Sequence, residues 1–343
     1  MKRLYIFLAV ILAVLLFLPK VLNNYWLEIF ILIFFYAYLG QCWNVLTGYT
    51  GNISLGHALY VGIGAYTATR LAIVFDLSPW AGMFIGALLA MAVGLAIGFL
   101  GFRFGLKGVY FVLITISFAE IGRLIALHME SLGSFMGLFI DFKPGFWNMQ
   151  FKGNLPYYYI SLGLLLFSVV VVRALEISKI GRYLVAIRED EDAAESLGVN
   201  TFKYKMWAIA LSSFMTALAG TFDANRIFHL SPDRVMSMGL SIEIILRPII
   251  GGMGTVLGPI VGSFLITLPA EWTRAYLSEV GRPGLHMVIY GFVLIFAVFF
   301  FPRGIMPFLN RVFKPFFIKP SYPNPDKPEP KAYHEGTKAR RNA

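Results

Sequence analysis

Long apolar runs separated by short polar stretches dominate the chain. Because a bilayer core of about 30 Å requires about 20 apolar residues per helix, the runs and their breakers predict about ten membrane-spanning segments. These cover residues 4–19, 25–47, 57–75, 80–102, 108–128, 156–173, 205–224, 240–252, 255–270 and 284–301. The eighth and ninth are short and separated only by Met253 and Gly254, so they fit two spans, a re-entrant hairpin or one long helix. The pattern therefore predicts an all-α polytopic membrane protein.

The pattern also divides the chain into two regions. Residues 1–301 are predicted to form one transmembrane domain, which carries a polar loop over residues 174–204. Residues 302–343 form a basic, proline-rich tail with too little apolar surface to fold alone. We therefore predict a disordered tail.

Composition agrees with this assignment and the charge distribution adds an orientation. Hydrophobic residues make up 58% of the 343 residues and charged residues 14%, against about 25% charge in a soluble domain. Since Lys and Arg favour the cytoplasmic ends of spans, the net charge of +10 indicates membrane topology, not nucleic-acid binding. With both termini inside, the inside loops hold seventeen Lys and Arg residues and the outside loops seven. The tail supplies nine of the seventeen, so it decides the predicted N-in, C-in orientation.

The fourth segment has a small residue at every fourth position. The row is Gly82, Gly86, Ala90, Gly94 and Gly98. Positions four apart form a ridge along a helix, and small residues there let two helices approach closely in lipid. The row predicts close packing within the bundle, with a subunit interface as the alternative.

Glycines interrupt two further stretches, one in each half of the chain. The first runs from Gly48 to His57, and the second from Gly251 to Pro259. Non-helical backbone at membrane depth must be buried in protein or line water, and such a pair in a transporter points to the pathway. The two stretches fit an inverted repeat, although a pair of tight cytoplasmic turns explains them as well.

Charged residues inside the predicted spans are a second pointer to function. Glu243 and Arg247 lie four apart and can pair, either to fix a short helix or to line a route. Glu120 and Arg123, three apart, allow the same two interpretations. His57 beside glycines is more typical of a hydrogen-bonded packing residue than of a proton carrier. The candidate pathway residues are Gly51, Asn52, Ser54, Gly56, His57, Glu243, Arg247, Gly251, Gly252 and Gly254.

Several catalytic patterns are missing from the sequence. No Gly-Lys dipeptide occurs, so there is no P-loop for ATP. The five histidines are dispersed, and Cys42 is the single cysteine, which we expect to be a buried packing residue. We therefore predict a non-enzymatic membrane protein with neither a metal nor a cofactor of its own.

The loop at 174–204 contains one short charged helix. Asp192–Gly198 indicates a helix that stops at a glycine, with Ala193, Ala194 and Leu197 as a slim apolar stripe. Such a stripe suits a groove on another protein, or packing on the chain's own bundle.

Here the sequence resembles a known family. Asp-Ala-Ala-x-x-x-Gly over 192–198 is similar to the Glu-Ala-Ala-x-x-x-Gly loop of ABC importer permeases, with Asp192 in place of Glu. The stretches 43–58, 62–66, 181–205, 231–233, 241–243 and 251–259 resemble the signatures of LivM-type branched-chain amino acid permeases. The resemblance covers roughly residues 25–305, in the family's order. Arg247-Pro248 departs from it, because apolar residues are expected there.

The resemblance implies a role. Such a chain pairs with a second homologous permease, two ATPase subunits that bind the ATP and an extracytoplasmic solute-binding protein, in the inner membrane of a bacterium. It implies a bundle of about ten helices with an inverted repeat that moves solute by alternating access. The residues it assigns to ATPase coupling are Arg188, Asp192, Ala193, Ala194 and Gly198. The implied solute is a branched-chain or other apolar amino acid, with urea or short amides as the alternative; a homo-oligomeric channel and a membrane-embedded enzyme are competing classes.

Overall fold

The computed structural model describes residues 12–279, Leu285, Gly291–Phe292 and residues 304–306. Most of the predicted segment 284–301, most of the tail 302–343 and residues 4–11 of the first predicted segment lie outside the described residues. The predicted disorder of the tail therefore stays a prediction.

Helices make up most of the described chain. In chain order they are α1 (Asn24–Trp43), α2 (His57–Phe75), α3 (Pro79–Arg103), α4 (Val109–His128), α5 (Asn154–Ile177), α6 (Lys179–Glu189), α7 (Glu191–Ser196), α8 (Thr201–Ile227), α9 (Pro232–Val235), α10 (Met238–Gly251) and α11 (Gly258–Glu279). A π-helix, Asn44–Gly48, continues α1. Short 3-10 turns lie at Leu18–Lys20, Glu130–Leu132 and Ser134–Met136, and the two-residue strands β1 (Leu138–Phe139) and β2 (His229–Leu230) pair antiparallel.

Five helices in the described part of the chain are long and apolar enough to cross a membrane. They are α1 with its π-helix, α2, α3, α4 and α5. This confirms a mostly helical polytopic protein. The total of ten spans, the inverted repeat and the N-in, C-in orientation stay predictions.

The two short segments near the C-terminus are separate helices. α10 and α11 pack against each other and are joined by a turn over residues 252–257, which excludes one long helix. The 14 residues of α10 span about 21 Å, less than a bilayer core of about 30 Å. α10 is therefore too short to cross the core alone.

The small-residue row of α3 packs inside the chain. A Cβ added at Gly82 would lie 2.9 Å from Cα of Ala68 in α2, and one at Gly94 would lie 2.5 Å from Oγ of Ser213 in α8. The row thus lets α3 lie directly on α2 and α8. The prediction of packing within the bundle is confirmed.

The helix α1 lies at the centre of the bundle. It packs against α5, α8, α10 and α11, and 83% of its apolar window is buried in the protein. Cys42 is fully buried there, as predicted. We call the end of the bundle that carries α6 and α7 the α6–α7 end, and the end where α1 begins and α8 stops the opposite end.

Candidate functional site

Side-chain caps define the polar loop between α5 and α8. Ser178 accepts a hydrogen bond from the Gly181 amide at the start of α6, and Asp190 accepts one from the Ala193 amide at the start of α7. Asn200 caps α8 by accepting from the Lys203 amide at 2.9 Å. Gly198 follows α7 with a φ of +85°, the left-handed conformation expected of a glycine helix stop. The predicted helix and its glycine stop are confirmed.

The predicted apolar stripe of α7 divides between two faces. Ala194 is 3% exposed and faces the chain's own bundle, whereas Leu197 is 86% exposed and Ala193 is exposed beside it. Successive residues of a helix are about 100° apart, so positions 193 and 197 share a face that position 194 leaves. The prediction that the three residues share one face is therefore wrong, because Ala194 packs against the bundle. The coupling role of Ala194 stays a prediction.

An ionic cluster holds α7 against its neighbours. Glu191 pairs with Lys205 of α8, whose side chain is 5% exposed, and lies 3.4 Å from Lys107 in the α3–α4 loop. Burial raises the pKa of Glu191, but the hydrogen bond and charge of Lys205 together with Lys107 outweigh it and hold that pKa below its usual value. The Glu191 charge and the hydrogen bond to Asp192 raise the pKa of Lys107. Asp192 is 88% exposed and accepts from Lys107 at 3.3 Å, so it forms the solvent-facing edge of the cluster.

Arg188 at the end of α6 is partly exposed, and its side chain reaches the backbone of the first glycine-rich stretch. Its Nη1 donates to the Gly48 carbonyl at 2.9 Å, and its Nη2 donates to the Glu189 carboxylate at 2.6 Å. A Cβ added at Gly254 would lie 2.5 Å from Nη1 of Arg188, and one at Gly51 would lie 3.1 Å from its Cγ. Arg188 therefore touches both glycine-rich stretches at once.

The first glycine-rich stretch is a buried connection between α1 and α2. The Thr47 hydroxyl donates to the Asn52 carbonyl at 3.0 Å, and the indole of Trp43 donates to the Ser54 carbonyl at 2.8 Å. Gly51 has a φ of +75°. A Cβ at Gly56 would lie 2.7 Å from the Thr115 carbonyl oxygen, so α4 packs directly on this backbone.

His57 opens α2 as a fully buried residue. Its Nε2 lies 2.9 Å from the Ser212 hydroxyl and its Nδ1 lies 3.3 Å from the Ser54 hydroxyl. Because Ser212 donates to the Cys42 carbonyl at 2.7 Å, its oxygen accepts from a protonated Nε2, and Nδ1 accepts from Ser54. Both ring nitrogens are thus paired, which fits the interpretation of His57 as a hydrogen-bonded packing residue.

The second glycine-rich stretch is the turn between α10 and α11. Gly252 and Gly254 have φ values of +130° and +71°. The Asn44 side chain binds this turn twice, accepting from the Gly254 amide at 2.7 Å and donating to the Thr255 carbonyl at 3.0 Å. The amide of Gln41 donates to the Val256 carbonyl.

The two connections touch each other at the α6–α7 end. This geometry agrees with the interpretation of both stretches as tight turns between helices. Gly251 packs on the Gly258 backbone, and Gly252 packs on Met306. The pathway role stays a prediction for all ten candidates, which are Gly51, Asn52, Ser54, Gly56, His57, Glu243, Arg247, Gly251, Gly252 and Gly254.

Arg247 in α10 points toward α1 and not toward solvent. It is 3% exposed, its guanidinium lies 3.5 Å from the ring centroid of Tyr36, and its Nη1 donates to the Glu243 carbonyl. The Glu243 carboxylate lies 3.8 Å from Nη2, and the Glu243 side chain is 42% exposed. The predicted pairing is therefore present, and Glu243 is its accessible member.

A second charged group lies at the opposite end. Arg123 pairs with Glu120, as the sequence predicts, and also with Asp233 at 2.5 Å. Among the described residues, His, Cys, Asp and Glu side chains form no group of three that could hold a metal ion.

The sequence analysis did not identify two polar residues of the site. Gln41 and Asn44 are fully buried and join the end of α1 and its π-helix to the second connection. The sequence did contain a signal, namely two side-chain amides three positions apart in an otherwise apolar span. Such amides are costly in a membrane unless they bind backbone groups. Leu197 was noted only as one member of a stripe, because exposure cannot be read from a single apolar residue.

Comparison with known proteins identifies relatives over most of the chain. Residues 25–298 match the family model described as branched-chain amino acid transport system / permease component. The chain is 27% identical to the high-affinity branched-chain amino acid transport system permease protein LivM of Escherichia coli K12, over 88% of this chain and 75% of that protein.

Relatives with other names also match. The autoinducer 2 import system permease protein LsrC of Yersinia enterocolitica is 27% identical, over 64% of each chain. The ribose import permease protein RbsC of Haemophilus influenzae is 32% identical over 25% of this chain. No solved structure matches. Membrane permeases named for three chemically different solutes thus share sequence features with this chain.

Proposed function

The chain belongs to the family of branched-chain amino acid transport system permease components, and on that premise we propose that it is one membrane subunit of an ATP-binding-cassette importer. The proposed assembly contains a second homologous permease, two ATPase subunits and an extracytoplasmic solute-binding protein, in the inner membrane of a bacterium. Since the sequence has no P-loop, the partner subunits would bind and hydrolyse the ATP, and the chain needs no cofactor of its own.

The exposed face of α7 is the observation that carries this proposal. Leu197 and Ala193 form a small apolar patch beside the exposed carboxylate of Asp192, on a helix that Glu191 fixes to the bundle through Lys205. An apolar side chain that is 86% exposed on a rigid, capped helix suits insertion into a groove of a soluble partner. We assign this face to contact with an ATPase subunit.

Arg188 is the proposed link from that contact to the membrane helices. It lies on the helix before α7, and its guanidinium binds the Gly48 carbonyl next to Gly254. When the ATPase subunits close and push on α6 and α7, Arg188 would move the ends of α1 and α10 together. Arg188 thus acts within the chain, in contrast to the ATPase contact made by Ala193 and Leu197.

We propose that the solute is a branched-chain or other apolar amino acid. Glu243 is a half-exposed carboxylate on a helix in the membrane domain, where a lipid-facing charge would be costly. It can bind the ammonium group of an amino acid, while buried Arg247 holds it in place. Urea and short amides, the alternative solutes, carry no ammonium group and would not need that carboxylate.

Co-purification of the full chain with its partners tests the assembly. Changing Leu197 to Arg should abolish recovery of the ATPase subunits, because a charge would enter the apolar contact. The matched control is Val21→Arg, because Val21 is also 86% exposed but lies near the opposite end. Recovery of ATPase subunits with both variants would overturn the assignment of α7. Recovery of the wild-type chain only as a homo-oligomer would favour a channel.

Uptake into proteoliposomes tests the link and the solute. Arg188→Ala should retain ATP hydrolysis but lose solute uptake, whereas Arg182→Ala, an exposed position on the same helix, should retain both. Glu243→Gln should reduce leucine uptake by about tenfold, the effect of one lost charged hydrogen bond of roughly 1.5 kcal/mol. Uptake of urea but not leucine by the wild-type assembly would replace the amino acid with the amide class.

A further inference from the structure

A cavity of about 740 Å³ opens at the opposite end of the bundle, far from α6 and α7. It lies between α1, α5, α8 and α11, and the chain segment that precedes α5 also lines it. Three cations and one carboxylate line it, together with Phe142, Phe151 and Leu32. The charged residues are Glu28, Lys152, Arg226 and Arg274.

The charges in this cavity favour an anionic ligand. Arg226 is committed to Glu28 and to Asp223, whose side chain is 8% exposed. Arg226 neutralises Glu28, and the three cations and one carboxylate together leave the lining with a net charge of +2. Lys152 is exposed, and Arg274 is 58% exposed with its guanidinium 3.1 Å from Glu271, which is outside the lining. Lys152 and Arg274 are the two cations that can bind a ligand.

Aromatic residues place the cavity at the depth of lipid headgroups. Tyr25 and Trp26 begin α1, and the stacked pair Trp272 and Tyr276 lies near the end of α11. All four side chains are exposed, and the Tyr25 hydroxyl donates to the Glu271 carbonyl at 3.4 Å. Exposed Tyr and Trp side chains gather where a membrane protein crosses the bilayer surface. The cavity therefore opens where phosphate groups of lipids are found.

We propose that this cavity binds the phosphate group of an acidic phospholipid. Lys152 and Arg274 contact the phosphate oxygens, and the rings of Phe142 and Phe151 with Leu32 contact the glycerol and first acyl carbons. The ion pairs of Arg226 form the floor. The mixed lining of cations and apolar side chains suits an amphiphile better than a free anion. This site is independent of the importer assignment, because it lies away from α6, α7, Glu243 and both glycine-rich connections.

The test measures lipid binding by the purified full-length chain in mixed micelles. Native mass spectrometry counts retained phosphatidylglycerol, and the melting temperature is followed as that lipid replaces phosphatidylcholine. The test variant is Lys152→Gln with Arg274→Gln. The matched control, Lys20→Gln with Lys143→Gln, also removes two exposed cations, neither of which lines the cavity. The wild type and the control should bind phosphatidylglycerol with a saturable rise in melting temperature.

The test variant should bind phosphatidylglycerol about 25-fold more weakly, because each cation near an acidic lipid contributes a preference of about fivefold. Equal binding by the test and control variants would overturn the proposal. Inorganic phosphate or glycerol 3-phosphate that raises the melting temperature as much as the lipid would assign the cavity to a free anion. A rise with leucine alone, lost in the test variant, would assign it to the solute.

Discussion

The two ends of the bundle use their polar groups differently. At the α6–α7 end, side chains bind backbone: Asn44 binds the Gly254 amide and the Thr255 carbonyl, and Arg188 binds the Gly48 carbonyl. At the opposite end, charged side chains bind one another, with Asp223 accepting from both Arg226 and Arg234.

This difference predicts how each end responds when α6 moves or when a residue is substituted. A side chain that binds the backbone of another connection fixes the path of that connection, so movement of α6 must be transmitted to α1 and α10. A cluster of charges has no such directional consequence, but its members depend on each other, since a buried ion without a partner is costly. Substitutions at the α6–α7 end should therefore affect coupling as well as stability, whereas those at the opposite end should affect mainly stability.

The largest effect is expected from Asp223→Ala. This change leaves Arg234 without its carboxylate and Arg226 with Glu28 alone, and loss of one partner of a buried pair costs about 3–5 kcal/mol. The free energy of unfolding, measured by SDS titration in mixed micelles, should fall by that amount. Glu271→Ala is the control, because Glu271 pairs with Arg274 on one exposed helix face and should cost below about 1 kcal/mol. Equal losses in the two variants would contradict the idea of a shared buried carboxylate.

A smaller loss is expected from Asn44→Ala at the α6–α7 end. The change leaves the Gly254 amide and the Thr255 carbonyl without their partner, at about 1–2 kcal/mol for each buried group and about 2–4 kcal/mol in total. Asn52→Ala is the control, since within the described chain its side-chain amide binds Thr50, two residues away. The same titration should give a loss for Asn52→Ala of about 1 kcal/mol. If Asn52→Ala proves as destabilising as Asn44→Ala, the bonds from Asn44 to the α10–α11 turn contribute no more than a local hydrogen bond.

Hydropathy predicted the membrane helices well and their burial poorly. The ranges 57–75, 80–102 and 108–128 fall within a residue of α2, α3 and α4. Yet 83% of the apolar window of α1 is buried in protein and only 22% of that of α4. Because lipid is as apolar as a protein core, a helix buried in protein and a helix facing lipid have equally apolar sequences. The start of α8 was less accurate, because the Asn200 cap begins the helix at Thr201, before the apolar run predicted from residue 205.

The candidate site was predictable where local chemistry defines it. The left-handed Gly198 follows from its place after a helix, and pairing of Glu243 with Arg247 follows from their spacing. Contacts between distant segments were not predictable, since nothing in the sequence joins Asn44 to Thr255 or Arg188 to Gly48. The split of Ala193 from Ala194 depends on which face of α7 meets the bundle, and the neighbouring helices decide that.

Gly198 and Gly254 both have left-handed backbone at the α6–α7 end, and alanine substitutions there measure the constraint imposed by Arg188. Gly254→Ala combines backbone strain with crowding of Arg188 and the Gly48 carbonyl, which lies 2.9 Å from the added Cβ. A cost of about 2 kcal/mol is expected, against about 1 kcal/mol for Gly198→Ala, whose Cβ meets nothing within 4 Å. Unfolding titrations of the two variants check this difference. Equal costs would show that the position of Arg188 adds no constraint.

The smallest effect is expected from the pH dependence of Glu191. Lys205 and Lys107 lower its pKa in the folded chain below the ordinary 4.5, so the unfolded chain binds more protons in that range. The stability that Glu191 contributes, about 1 kcal/mol, is present above pH 4.5 and is lost as the pH falls through the lowered pKa. The free energy of unfolding of the wild type and of Glu191→Gln should therefore differ by a constant amount at neutral pH and converge in acid. A difference unchanged down to pH well below 4.5, or one that grows in acid, would contradict the ion pair with Lys205 as the anchor of α7. At neutral pH the Asp192→Asn variant should lose less stability than Glu191→Gln, because Asp192 pairs with the exposed Lys107 whereas Glu191 also pairs with the buried Lys205. The contrast between these adjacent carboxylates would then separate the residue that anchors α7 from the one that faces a partner.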